Sequence, residues 1–112
     1  MTKYIDIGTV GDYLREEWLE PLGLSCNKVA MSIGVPANRI TDIVNGRRGI
    51  TADTDLRLCR YFKMSDGHFI NMQMYIERTI AKRSLKKELA KIVPHSRVAA
   101  NDNRAEKELM AM

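Results

Sequence analysis

The stretch Ser25-Cys26-Asn27-Lys28-Val29-Ala30-Met31-Ser32-Ile33-Gly34-Val35-Pro36-Ala37-Asn38-Arg39-Ile40-Thr41-Asp42-Ile43-Val44-Asn45-Gly46-Arg47-Arg48 decides how the chain is read. Its apolar residues recur at helical spacing on both sides of a single Gly-Val-Pro interruption. Ser25 is a good N-cap, Val29, Ala30 and Ile33 share one stripe, and Gly34 can take the left-handed conformation that closes a helix of about eight residues. Pro36 then opens a second short helix where its missing N–H costs nothing. Ile40, Ile43 and Val44 form the inner face of that helix, and Asn45-Gly46 closes it.

Working outward, the same period continues and no segment alternates as a strand would, so the fold class is all-α. Upstream, Thr9 caps a helix from about Val10 to Glu20, with Leu14 and Trp18 on its buried face. Asp12 suits the N-terminal dipole, and Pro21 followed by Gly23 ends the helix. Downstream, Thr51 caps a fourth helix with Asp53 and Asp55 in its first turn and Ala52, Leu56, Cys59 and Phe62 on the core side. Ser65 caps a fifth, whose stripe is Phe69, Met72, Gln73, Ile76 and Ile80. A last helix from about Arg83 to Val93 sets Leu85, Leu89 and Ile92 against Lys82, Lys86, Lys87 and Lys91, and Pro94 stops it.

The expected organisation is thus an N-terminal arm over 1–9, a five- to six-helix domain over 10–80 that includes a helix at 66–80, and a C-terminal basic helix over 81–94. A tail over 95–112 has little to bury and is read as flexible, although Ala105 to Met112 could form a short helix against a neighbour.

One hundred and twelve residues, 45% of them hydrophobic, describe one small soluble domain. No apolar run reaches the roughly 18–20 residues needed to span a bilayer and no signal peptide precedes the domain, so the expected compartment is the cytoplasm and no membrane is involved. Cys26 and Cys59, with only two histidines, supply neither a disulfide framework nor four zinc ligands. Both cysteines read as packing residues, and His68 and His95 as surface residues. No phosphate loop, metal constellation or acid/base pair is apparent, so neither a catalytic residue nor a cofactor is expected. The formal charge of +4 is unevenly spread: residues 1–35 sum to −2, 36–62 to +2, 63–94 to +4 and 95–112 to zero. The first third is acidic, and the middle is basic.

Two short helices joined by a turn of three or four residues containing Gly are the sequence form of a DNA-binding helix-turn-helix. At about 100° per residue, Asn38, Thr41, Asp42 and Asn45 cluster opposite the apolar face of the second helix. Arg39 lies about 90° off that polar axis, but its side chain is long enough to present two donors to guanine O6 and N7. Asn38, Arg39, Thr41 and Asp42 are therefore the expected base-reading residues; Asp42 could accept from cytosine N4 or orient Arg39. Ser25, Asn27, Lys28, Asn45, Arg47 and Arg48 are the expected phosphate donors. An ordinary helical hairpin is the alternative, with Ser25 and Pro36 as mere caps and the arginine pair as a solvated loop.

From Gly11 to about Gln73 the chain also resembles a known family. The residues that carry the resemblance are Gly11-Asp12-Tyr13-Leu14-Arg15-Glu16-Glu17-Trp18-Leu19-Glu20-Pro21-Leu22-Gly23-Leu24-Ser25, then Gly34-Val35-Pro36, then Arg39-Ile40-Thr41-Asp42-Ile43-Val44-Asn45-Gly46-Arg47-Arg48-Gly49-Ile50-Thr51-Ala52-Asp53-Thr54. These are similar to the HigA/VapI addiction-module antitoxins, within the Xre-type, phage-repressor-like helix-turn-helix superfamily. The resemblance implies a repressor-like domain that binds double-stranded operator DNA as a homodimer, represses its own operon and neutralises a RelE/HigB-like ribonuclease toxin. The chain departs from the family pattern with Cys26 in place of Gln, and with Lys63 in place of the Gly that usually closes the fourth helix.

Dimerisation is expected through the fifth helix, at Phe69, Ile70, Met72, Tyr75 and Ile76. Two other functions stay open at this point: an Xre-type repressor without a toxin, and a helical protein-interaction module that has lost DNA binding. The lysines from 82 to 91 read either as a solvated face or as a second site for nucleic acid or an acidic partner.

Overall fold

A computed structural model describes residues 8–97; the expectations placed on 1–7 and 98–112, including the short helix from Ala105 to Met112, fall outside them. Among the described residues all regular structure is helical. Helix α1 covers residues 10–22 in three contiguous pieces: α-helical Val10–Leu14, a π turn over Arg15–Leu19, and α-helical Glu20–Leu22. Helices α2 (Cys26–Ile33), α3 (Ala37–Val44), α4 (Ala52–Phe62), α5 (His68–Ser84) and α6 (Lys86–Lys91) follow. No helix among the described residues is long and apolar enough to cross a membrane.

Thr9 caps α1 as expected, accepting from the Asp12 N–H while the Asp12 carboxylate accepts from the Thr9 N–H, both at 3.2 Å. Pro21, however, does not end the helix. A proline cannot donate to the carbonyl four residues back, and its ring crowds that carbonyl. Here the backbone widens ahead of it, so that the Glu20 N–H reaches the Arg15 carbonyl five residues back. The wide turn also brings residues five apart side by side, and Arg15 Nη1 meets Glu20 Oε2 at 3.1 Å. Gly23, at φ 65°, then closes the helix.

The chain divides after Ala81 into two units. The core of the first is built from α1 (Leu14, Leu19), α2 (Val29, Ala30, Ile33), α3 (Ile40, Ile43), α4 (Leu58, Cys59) and α5 (Phe69), with Ile50 from the loop between α3 and α4. Each fully enclosed aliphatic side chain contributes about 1.5–3 kcal/mol. The expected stripe of α4 is corrected by this packing: Ala52 is exposed and Leu56 is 49% exposed, whereas Thr54, Asp55, Leu58 and Cys59 are buried. The rotation has an electrostatic cause. Asp55 Oδ2 accepts from the Gly67 N–H at 2.7 Å, and Oδ1 accepts from the Phe69 and Ile70 N–H groups at 2.9 and 2.8 Å.

Asp55 therefore serves the start of α5 from inside the core, not only the dipole of its own helix. It also supersedes the expected Ser65 cap: α5 begins at His68, and the Ser65 carbonyl accepts the His68 N–H at 3.1 Å. His68 is not a free surface residue; its Nε2 lies 2.8 Å from the Tyr13 hydroxyl, and its ring packs edge-on against Phe69 and Trp18.

In the second unit, the separate helix expected over Arg83 to Val93 is replaced by two pieces. Helix α5 continues through Arg83 to Ser84, and after Leu85 the short α6 ends at Lys91, with Ile92 already extended. Val93 precedes Pro94, where a helical conformation is disfavoured. Leu85, Leu89, Ile92 and Val93 are exposed among the described residues.

Candidate nucleic-acid interface

Helices α2 and α3 form the pair that the sequence implied. The Ser25 side chain accepts the Lys28 N–H at 3.0 Å, which caps α2. Gly34 closes α2 at φ 75°, and the Val35 N–H returns to the Ala30 carbonyl at 3.0 Å. Pro36 sits at the N-cap of α3, one position earlier than a first-turn proline, in an extended conformation that turns the chain into the new helix.

Three residues fix that pair in place, and the sequence reading gave none of them this task. Gly11 of α1 crosses α3 so closely that a Cβ there would overlap the Ile43 carbonyl. Arg57 of α4 donates from Nη1 to the Ile33 and Gly34 carbonyls at 2.8 and 3.3 Å, while its Nε donates to Asp53 at 2.7 Å. It thereby covers the free carbonyls at the end of α2. Gln73 of α5 grips the backbone of Ile50 on both sides: Oε1 accepts its N–H at 2.6 Å and Nε2 donates to its carbonyl at 3.0 Å. The Asp53–Arg57 spacing is a legible helical ion pair. The two carbonyls that Arg57 reaches are 23 and 24 positions away, and no sequence pattern marks such a contact.

Of the expected base-reading residues, Asn38 and Thr41 are exposed and Asp42 is half-buried on the same helix. Arg39 is half-buried, and its Nη1 donates to Thr54 Oγ1 at 3.3 Å. Asp42 does not orient Arg39; its Oδ1 accepts instead from Arg47 Nη1 at 3.4 Å, which offsets the acidic charge on this face.

Of the expected phosphate donors, Ser25, Asn27 and Lys28 are exposed at the start of α2, where free N–H groups and the helix dipole favour an anion. Asn45, Arg47 and Arg48 are exposed after α3, in a turn closed by Gly46 at φ 76° and by the Arg47 N–H on the Asp42 carbonyl at 2.8 Å. Cys26, where the family usually has Gln, is half-buried and packs against the core.

The five residues expected at a dimer seam are not equivalent. Phe69 is fully enclosed in the core of the first unit, and Ile76 is buried at 7% exposure. Ile70 and Met72 are half-buried, and Tyr75 is exposed with Met74 and Ile80 near it along α5. Among the described residues no three His, Cys, Asp or Glu side chains converge as a metal site would require.

No family model matches the chain. It is 43% identical over 91 residues to Virulence-associated protein I of Dichelobacter nodosus, covering 81% of this chain and 83% of that protein. Two solved structures superpose with a TM-score of 0.68 at 33% identity, each over 77% of this chain and 95% of the other. One is the Pseudomonas aeruginosa antitoxin HigA with the higBA promoter, and the other is an addiction module antidote protein of the HigA family from Coxiella burnetii. Proteins of this kind are antitoxins and transcriptional regulators, not enzymes. The Gly34 turn, the polar outer face of α3 and likeness over nearly the whole length of these relatives lead to one assignment: the chain belongs to the HigA/VapI family of Xre-type helix-turn-helix antitoxins.

Proposed function

We propose that this protein is the antitoxin of a type II toxin–antitoxin module, binding its own operator as a homodimer, repressing its operon and neutralising a RelE/HigB-like ribonuclease. The observation that carries DNA binding is the solvent face of α3: Asn38, Thr41 and Asn45 are exposed together, with Arg47 and Arg48 directly after them. In this reading α3 enters the major groove, Asn38, Arg39, Thr41 and Asp42 meet base edges, and Ser25, Asn27, Lys28, Asn45, Arg47 and Arg48 contact phosphates on either side. The relative solved with the higBA promoter supports it.

The dimer would use the exposed part of α5 around Tyr75, together with Ile70 and Met72. Its two recognition helices would stand about 34 Å apart, one turn of DNA. For the toxin, the exposed carboxylates Glu16, Glu17 and Glu20 of α1 offer a surface complementary to a basic ribonuclease.

Two measurements test the proposal. Footprinting on the promoter upstream of this reading frame should show a palindromic protected site, and Arg48→Ala should weaken binding to all sequences alike and flatten the salt dependence. Co-expression with the adjacent reading frame should relieve its toxicity; failure to bind or protect would leave a repressor without a toxin.

A further inference from the structure

We propose that Thr54, a residue of α4 outside the base-reading helix, positions Arg39 for base readout. The inference rests on the reading of α3 as the element in the major groove. Because Arg39 lies about 90° from the centre of the polar face of α3, its guanidinium must be held at an angle to reach a base edge. The structure holds it by one corner: Nη1 donates to Thr54 Oγ1 at 3.3 Å.

Thr54 is suited to this because it is enclosed and hydrogen-bonded in place. It is 1% exposed, packed in the first turn of α4. Its oxygen also receives the Thr51 hydroxyl at 3.5 Å, while its own N–H donates to Thr51 Oγ1 at 3.5 Å. The cap of α4 is thereby linked to the head of Arg39. A guanidinium has five N–H donors, and a single bond to Thr54 leaves four, enough for a bidentate pair to guanine O6 and N7. A side chain already held in the free protein loses less rotamer freedom on binding, which favours both affinity and selectivity. The acidic residue on the same face does not compete, since Asp42 is paired with Arg47.

The test uses the full chain and a duplex that the wild-type protein enriches from a random-sequence pool, together with its set of single-base-pair variants. Thr54→Val keeps the shape and removes the acceptor, and Thr54→Ser restores it; if the valine variant does not fold, Thr54→Ala is measured in the same way. The expected result is a roughly five- to tenfold loss of discrimination at one base pair, at the low end of what a bidentate contact supplies. That base pair is the one Arg39→Ala relaxes, the salt slope is unchanged, Thr54→Ser discriminates as wild type, and Thr54→Val adds nothing to Arg39→Ala.

Equal loss on every sequence, or binding that becomes tighter and more selective, overturns the proposal; the second result would mean that Thr54 holds Arg39 away from DNA. An Arg39→Ala effect with no Thr54→Val effect removes the positioning role alone. Full discrimination by Arg39→Ala removes Arg39 from base readout, and the positioning role with it.

Discussion

The helix-turn-helix pair and the joint between α4 and α5 are held together in opposite ways. In the pair, the closing bonds are local: Ser25 with Lys28, Val35 with Ala30, Arg47 with Asp42. In the joint and its braces, side chains seize backbone far away in sequence. Asp55 reaches 12 to 15 positions ahead, Gln73 23 positions back to Ile50, and Arg57 24 positions back to Ile33. Local bonds give the pair its shape, while distant ones fix where it points. The shape of the pair and its orientation therefore reside in different parts of the chain.

The largest test of that division is Asp55→Ala. It leaves three N–H groups at the start of α5 without their acceptor and should cost about 3 kcal/mol or more, measured by urea denaturation. A loss below about 1 kcal/mol would mean that the joint is not held by this carboxylate.

Gly11→Ala comes next, at about 2–3 kcal/mol, because the added methyl meets backbone and α1 must shift off α3. DNA affinity should fall more than instability alone explains, and unchanged affinity in the folded fraction would show that the crossing does not aim the recognition helix.

Gln73→Leu, nearly isosteric, should cost about 1–2 kcal/mol by orphaning the Ile50 backbone. Hydrogen exchange should quicken at Ile50, with weaker binding to all DNA sequences alike, since the same loop carries Arg47 and Arg48. A sequence-selective loss would instead assign Gln73 to base readout.

Lys63→Gly is the smallest and has the opposite sign. Lys63 closes α4 at φ 59°, the only non-glycine among the described residues with positive φ. Glycine should stabilise by up to about 1 kcal/mol, read as a higher melting temperature with DNA binding unchanged.

Local features were legible along most of the chain. Ser25, Gly34 and Gly46 mark the boundaries of the pair because caps and left-handed closures depend on single residues. Ile40 and Ile43 mark its inner face because the helical period needs only neighbours. The π turn was not legible: Pro21 reads as a terminator by itself, and the widening ahead of it is a cooperative adjustment of five residues. The inner face of α4 differs from the expected one because Asp55, by type a surface residue, is buried where it accepts three N–H groups at the start of α5. In the site, Asn38 and Thr41 stand where the period placed them. Arg39 and Asp42 could be assigned to their helix, but not their partners Thr54 and Arg47, because long side chains choose partners only once the surroundings are assembled.

By itself, the sequence determined that the chain is helical, where its two short central helices begin and end, and which residues face outward on the second, because these follow from backbone preference and a period of 3.6 residues. Tertiary structure alone decided that Asp55 caps α5, that Arg57 and Gln73 brace the pair, that Gly11 admits α1 against α3, and that Arg39 rests on Thr54. Those contacts join residues far apart in the chain, and the hydrogen bonds among them satisfy buried polar groups whose partners exist only in the folded state.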